Sequence, residues 1–384
     1  MKSFRKIIFW LHLISGVLAG IFIFVMCVTG ALLSFESNIL EYAEREMRVV
    51  EVPSENANRL PISEIVTVVR AEKPNAKLSN ITLQNNESAA VIVALGRGEQ
   101  IFVNPYTGAN LGEGAKGWRG FFRTVEDAHR WLALSGGGRT VGKAVNDAAN
   151  FLFLFLAISG VYIWFPRRRT WKHFRAAAVF RRKVKGKARD YNWHTVIGFW
   201  SSLVLIILTL TGVIISYQWA GNLVYTLTGN EPPQQQAPPN APSLEGEQPF
   251  VFPENLDDIW TKAENHTAHK SISLRLPITK DSAVFTIEEG IYRNVFARST
   301  LTIDTKTAEV AKWEAYGAQN SARQLRSWIR FTHTGETGGI AGKFIGFLAC
   351  VGGAFLVWTG ISLALRRFSN WRGRKKLNAE ESSV

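Results

Sequence analysis

Four of the seven histidines recur in matched surroundings along the chain. His12 is preceded by Trp10 and followed by Gly16, while His194 is preceded by Trp193 and followed by Gly198. A Thr-Gly pair follows each, Thr29-Gly30 and Thr211-Gly212, and both glycines stand 18 residues beyond their histidine. That spacing is about 27 Å along a helix. His129 and His333 each precede a glycine-rich turn and an apolar stretch carrying a second pair, Ser159-Gly160 or Thr359-Gly360. Two neutral imidazoles facing each other across a pseudo-twofold axis can ligate one haem iron axially. A glycine one turn from the histidine removes a side chain where a flat macrocycle must lie close to the helix. The expected ligand pairs are His12/His194 and His129/His333, with Gly16, Gly198, Gly30 and Gly212 as further cofactor-binding positions. A lone helical histidine is more often a packing residue, and membrane glycines often serve only helix packing. Four histidines at duplicated positions, two per membrane face, tip the balance toward ligands. No Cys-x-x-Cys-His occurs, so the haem would be non-covalent, b-type, with two copies expected.

The other chemistry-bearing residues carry less. His266 and His269 have a three-residue spacing on a predicted helix, but without companion ligands they read as surface residues. His173 falls in a basic loop and reads as interfacial. Cys27 and Cys350 both lie in apolar stretches and read as small packing residues. No hydrolase triad order, zincin motif, phosphate loop or dinucleotide fingerprint is present. Electrons would therefore come from a membrane quinol or another electron donor.

These histidines need a scaffold, and the hydropathy pattern supplies it. Mean hydropathy is near zero, yet uncharged runs span Ile7–Phe35, Ala148–Pro166, Thr195–Asn230 and Phe344–Leu365. Each is close to the roughly 20 residues that cross a bilayer as a helix. The first run is too long for the apolar part of a signal peptide, which predicts a retained helix. Charge sets the orientation. Lys2, Arg5 and Lys6 precede the first run, the loop Arg167–Asp190 carries eleven Lys/Arg against one acid, and the tail from Arg366 carries six. The excess positive charge thus gathers on one side, which predicts cytoplasmic N and C termini. The formal net charge of +14 is thereby explained without a nucleic-acid partner.

The predicted architecture is an α-helical membrane protein: four transmembrane helices from a duplicated half, with two periplasmic α+β domains. The expected order is helix 7–35, soluble domain 36–146, helix 147–166, basic cytoplasmic loop 167–192 and helix 193–220. There follow soluble domain 221–342 with a Pro/Gln-rich linker at 229–249, helix 343–365 and cytoplasmic tail 366–384. Strands are predicted at Ala89–Leu95, Gln100–Val103, Ser271–Leu276, Ala283–Glu288 and Ser299–Asp304, with turns at Asn104–Gly108 and Thr305–Glu309.

The stretch from His129-Arg130-Trp131-Leu132 through Ser159-Gly160-Val161-Tyr162-Ile163-Trp164-Phe165-Pro166-Arg167-Arg168 resembles the PepSY-associated transmembrane family of iron-regulated bacterial membrane proteins. Thr332-His333-Thr334-Gly335-Glu336 through Thr359-Gly360-Ile361 is similar to its C-terminal signature, and Trp10-Leu11-His12 through Thr29-Gly30 also fits. The second half departs from the Trp-x-Pro-Arg ending of the first. The resemblance implies PepSY-like soluble domains, haem ligation by the four matched histidines, and the activity of the family's inner-membrane siderophore reductases. That activity is reduction of a ferric siderophore, a hydroxamate by expectation, in the periplasm, releasing Fe(II). Electrons would enter near His12/His194 and leave near His129/His333. Trp118, Arg119, Phe121, Phe122 and Arg123, with Arg323, Arg326, Trp328 and Arg330, are candidate docking groups, although such residues beside a bilayer more often anchor it. Two other readings stand beside this one: a non-catalytic PepSY-type binding or regulatory protein, and a siderophore permease component.

Overall fold

The computed structural model describes residues 2–165, 170–233, 252–290 and 297–381. Arg167, Arg168 and positions 234–249 of the Pro/Gln-rich linker lie outside them. In chain order the helices are α1 (Lys2–Leu33), α2 (Glu36–Ala43), α3 (Arg45–Arg48), α4 (Ile62–Glu72), α5 (Lys116–Trp131) and α6 (Gly138–Trp164). After these come α7 (Trp171–Ala178), α8 (Gly186–Ser216), α9 (Gln218–Leu227), α10 (Leu256–Glu264), α11 (Ser321–His333) and α12 (Gly339–Glu381). The strands are β1 (Leu78–Gln84), β2 (Val91–Leu95), β3 (Glu99–Val103), β4 (Asn110–Gly112), β5 (Ser271–Arg275), β6 (Ala283–Glu288), β7 (Arg298–Ile303) and β8 (Val310–Glu314). The chain divides into two compact units.

The first unit comprises 1–36, 124–222 and 329–384. Among the described residues, four of its helices are long and apolar enough to cross a membrane: α1, α6, α8 and α12. They close into a ring in which α1 and α8 each pack against both α6 and α12. Ala19, Ile23, Met26, Phe153, Leu205 and Ala349 fill the middle. Gly353 gives the closest approach there, since a methyl at that position would meet Cys27 Sγ at 2.6 Å. The outer faces remain apolar; Leu18 and Leu203 are about two-thirds exposed, as suits side chains solvated by lipid. All four helices outrun their uncharged stretches, and α1 starts at Lys2 rather than 7. α6 starts nine residues before the expected 147, α8 starts at Gly186 rather than 193, and α12 continues to Glu381 through the expected tail. An uncharged run measures hydrocarbon thickness, whereas a helix continues until its backbone is capped or its side chains are unsatisfied. Lys143 and Asp147, one turn apart, extend α6 with an ion pair at 2.5 Å.

The second unit comprises 37–123 and 223–328. The two soluble regions, expected to be separate domains, instead share one antiparallel sheet, ordered β4-β3-β2-β1-β5-β6-β7-β8. Each region is a four-stranded meander, and the two join at β1 and β5, where Ile81 pairs with Leu274 and Thr82 with Ser273. The Thr82 and Ser273 hydroxyls are 2.8 Å apart. A four-stranded sheet leaves an unpaired edge, and the join removes one from each meander. α4 and α10 contribute Ile65, Val69, Ile259 and Trp260 to one continuous core with Ile81, Val93, Leu274 and Phe285. Asp257 ties these helices together by accepting the backbone N–H of Ser63 at 2.9 Å and the Ser63 hydroxyl at 2.5 Å.

The two meanders also turn alike. Asn104 Oδ1 accepts the N–H of Tyr106, and Asp304 Oδ1 accepts that of Lys306, both at 2.8 Å. The backbone then enters the left-handed region at Gly108 (φ 70°) and at Ala308 (φ 54°). Only the first of these has the residue that adopts this conformation without strain.

Candidate functional site

α5 and α11 present His129 and His333 near their C-terminal ends, whereas His12 and His194 lie in the first half of α1 and α8. All four belong to the first unit. The structure gives each imidazole the same surroundings. Nδ1 of His12 lies 2.8 Å from the Ser159 hydroxyl, and that of His129 2.8 Å from Thr29. Nδ1 of His194 lies 3.0 Å from Thr359, and that of His333 2.9 Å from Thr211.

The hydroxyl protons decide the tautomer. Thr29 donates to the Val25 carbonyl at 2.6 Å, Thr211 to Ile207 at 2.7 Å and Thr359 to Phe355 at 2.8 Å. Ser159 donates to Leu156 at 3.3 Å. With its proton given to the helix, each threonine hydroxyl offers the imidazole a lone pair, which favours the tautomer in which Nδ1 carries the hydrogen and donates it. Ser159, nearer to His12 Nδ1 than to its helix carbonyl, serves either tautomer. His333 Nδ1 also reaches the Leu208 carbonyl at 3.0 Å, an acceptor only, which requires the same tautomer. The arrangement at His129, His194 and His333 thus favours an unprotonated Nε2, the form in which histidine binds a metal.

The residue after each hydroxyl is glycine, and the ring occupies the notch it leaves. A methyl built on Gly160 would lie 3.5 Å from Cε1 of His12, and one on Gly30 3.4 Å from that of His129. On Gly360 and Gly212 the corresponding distance, to His194 and His333, is 3.3 Å. Gly30 and Gly212, expected to clear space for a macrocycle, therefore clear it for imidazole. Gly16 and Gly198 face leucines instead, and methyls there would stand 3.7 Å from Leu156 Cδ2 and 3.5 Å from Leu356 Cδ2. The Ser/Thr partners went unread in the sequence, although the hydroxyl preceded each glycine in every copy.

Cross-pairing follows from this scheme. His12 binds at α6, His194 at α12, His129 at α1 and His333 at α8, so each histidine leans on a helix of another segment. His129 lies within electrostatic range of His333, and His194 within range of His12. Two levels result, each with two histidines. Among the described residues no cluster of three or more His, Cys, Asp or Glu forms a cage for a bare ion. A bis-histidine haem iron takes two imidazole donors, its other four ligands coming from the macrocycle.

The remaining candidates lie apart from these four histidines. His266 packs edge-on against Trp313 at 4.6 Å, and His269 Nδ1 lies 2.9 Å from the Thr267 carbonyl. His173 falls within α7. Of the proposed docking groups, Phe122 is buried under the Trp118 ring. Arg119 is committed to Glu44 through Nε at 2.6 Å and Nη2 at 2.9 Å. Phe121, Trp118, Trp328 and Arg330 remain exposed. Polar groups inside α6 were also missed: Asn146 and Asp147 are buried, and Asn150 donates to the Thr209 carbonyl at 3.1 Å.

No curated protein matches the chain at a meaningful level. The family model described as the PepSY-associated TM region matches residues 9–367. With that match covering nearly its whole length, the chain belongs to the PepSY-associated transmembrane family.

Proposed function

We propose that this protein is a haem b-containing inner-membrane reductase that passes electrons across the bilayer to a ferric siderophore. The observation that carries the reading is the unit of histidine, hydroxyl and glycine, repeated four times with the hydroxyl at Nδ1 in each copy. Packing alone does not require an outer partner at Nδ1 in four separate places, whereas metal ligation through Nε2 uses one. Haem would supply a one-electron store at each level. The protein's own part is to hold each imidazole in its ligating tautomer and to keep the space between the levels dry with Ile23, Phe153 and Leu205.

A quinol releases two electrons and two protons on oxidation, enough to reduce two ferric complexes. Hydroxamate oxygens hold hard Fe(III) far better than Fe(II), so reduction loosens the metal. The distribution of Lys and Arg supports cytoplasmic termini, electron entry at the His12/His194 level and exit at the His129/His333 level. The matched turns, paired meanders and fourfold site support descent from a duplicated half.

The visible spectrum of the purified protein tests the reading. Reduced b-type bands, bleached on adding a ferric hydroxamate to the dithionite-reduced protein, are expected. A colourless protein sinks the proposal and leaves a binding or regulatory role for the soluble unit. Bands that persist in the presence of the ferric complex would leave an electron carrier of another pathway.

A further inference from the structure

The two halves of the site are not equivalent. Gly142, Asn146 and Asn150 follow one another at one-turn spacing on α6, and 200 positions later α12 carries Gly342, Gly346 and Cys350. Gly160 and Gly360 have the same separation. The glycines at 142 and 342 do equivalent work: a methyl on either would collide with a carbonyl of the preceding turn, Trp131 or Gly335. One turn further on the halves part. Asn146 Nδ2 donates to the main-chain carbonyl of His129 at 2.9 Å, while nothing stands within 4 Å of a methyl on Gly346. Both rings also reach a main-chain carbonyl of the neighbouring helix, Leu208 for His333 and Met26 for His129, so the difference lies at position 146 against 346.

Asn146 is 8% exposed, and its Oδ1 is a buried acceptor without a hydrogen-bond partner. The amide cannot flip to relieve this, because the His129 carbonyl needs a donor. An asparagine in an apolar helix that leaves half of its amide unsatisfied is costly as a packing residue. The stretch it secures is itself strained, for Leu132 and Ala133, directly after α5, both adopt positive φ (56° and 58°).

We infer that Asn146 is the positioning residue of the His129/His333 centre. It fixes the main chain of His129, and so the plane of its imidazole, through Nδ2, and holds Oδ1 ready for an O–H or N–H donor of the assembled centre. The inference rests on the haem reading above. Its test is electron paramagnetic resonance of the oxidised protein, because the largest g value of a bis-histidine ferric haem follows the angle between its two imidazole planes. His12→Ala assigns the signals by removing the His12/His194 one. In Asn146→Leu the His129/His333 signal should shift, the other should stay, and haem release from the shifted site should quicken by roughly 10-fold or more. Asn146→Asp keeps the size and loses the donor, so it should shift the same signal even if the leucine variant fails to assemble. Gly346→Asn should leave both signals in place. Wild-type protein without bis-histidine signals overturns the haem reading and this inference together. Two normal signals that neither Asn146 variant moves overturn the inference alone, as does a shift in Asn146→Leu that Asn146→Asp does not share.

Discussion

A ligating imidazole needs a defined tautomer as much as a defined position, and in the proposed haem centres one hydroxyl would serve both. Thr211→Val keeps the shape of residue 211 and deletes the acceptor of His333 Nδ1, leaving only the Leu208 carbonyl. Loss of such an outer partner weakens metal binding by about 10–100-fold, so haem should leave the His129/His333 level faster in a transfer assay to apomyoglobin. His194→Ala and His333→Ala should each halve the haem content by pyridine haemochrome assay and remove different spectral components. Loss of the same component from both would refute the pairing. Much of this was legible in the sequence because histidine is rare enough beside and inside membrane helices for its recurrence at a fixed distance from glycine to stand out. The hydroxyls were not, because Ser and Thr are ordinary there and their usual role is to bond their own helix. Only the structure shows that they do so with the proton and still have a lone pair for the neighbouring ring.

At the scale of elements, the N-terminal part of α5 is fastened to the segment after α2. Glu44 is fully buried and takes hydrogen bonds from Arg119, Arg48 at 2.7 Å, Gln100 at 3.1 Å and the backbone of Ala115 at 3.2 Å. Burial alone would raise its carboxyl; the bonds from Arg119, Ala115 and Arg48 outweigh that and hold it below the usual carboxylate range. A depressed folded value means the stabilisation is complete above the unfolded pKa, about 4.3, and is lost as pH falls through the folded one. Thermal melts should therefore show acid destabilisation below about pH 4.3 that is reduced in Glu44→Gln. Glu44→Ala, which strands two guanidiniums, should cost about 3 kcal/mol at neutral pH, read by hydrogen exchange in α5.

Most strands could be read from alternation, but β1 could not. Its pairing with β2 shifts between Leu78 and Asn80, so its buried residues, Leu78, Ile81 and Leu83, are spaced by three and then two. A bulge of this kind breaks the period that identifies a strand. β8 escaped for another reason: it is a half-exposed edge strand, and only one of its faces is selected for apolar residues.

For the molecule as a whole, lengths and charges gave the four crossings, while the sharing of one sheet by two regions was invisible. Nothing in either meander marks β1 or β5 as the joining strand, since Ile81 and Leu274 would serve equally well in a sheet of four. The join makes the soluble unit a single cooperative object. Ile81→Asp places a charge at a fully buried position of the shared core and should unfold both meanders together, visible as simultaneous loss of protease resistance in fragments from 37–123 and 223–328. Resistance surviving in the second alone would refute one cooperative core. Reporter fusions should place the termini and the basic loop on a common side of the membrane.

The seam between β1 and β5 also fixes the order of events during synthesis. Thr82 and Ser273 are 191 residues apart. At translation rates of about 5–20 residues per second, the ribosome needs on the order of 10–40 s to make the second after the first. Through that interval the earlier meander waits with an open strand edge, exposed to proteases and to other chains, while two membrane helices are inserted. A pausing site in the second half of the message would lengthen this vulnerable period without changing a single residue of the product.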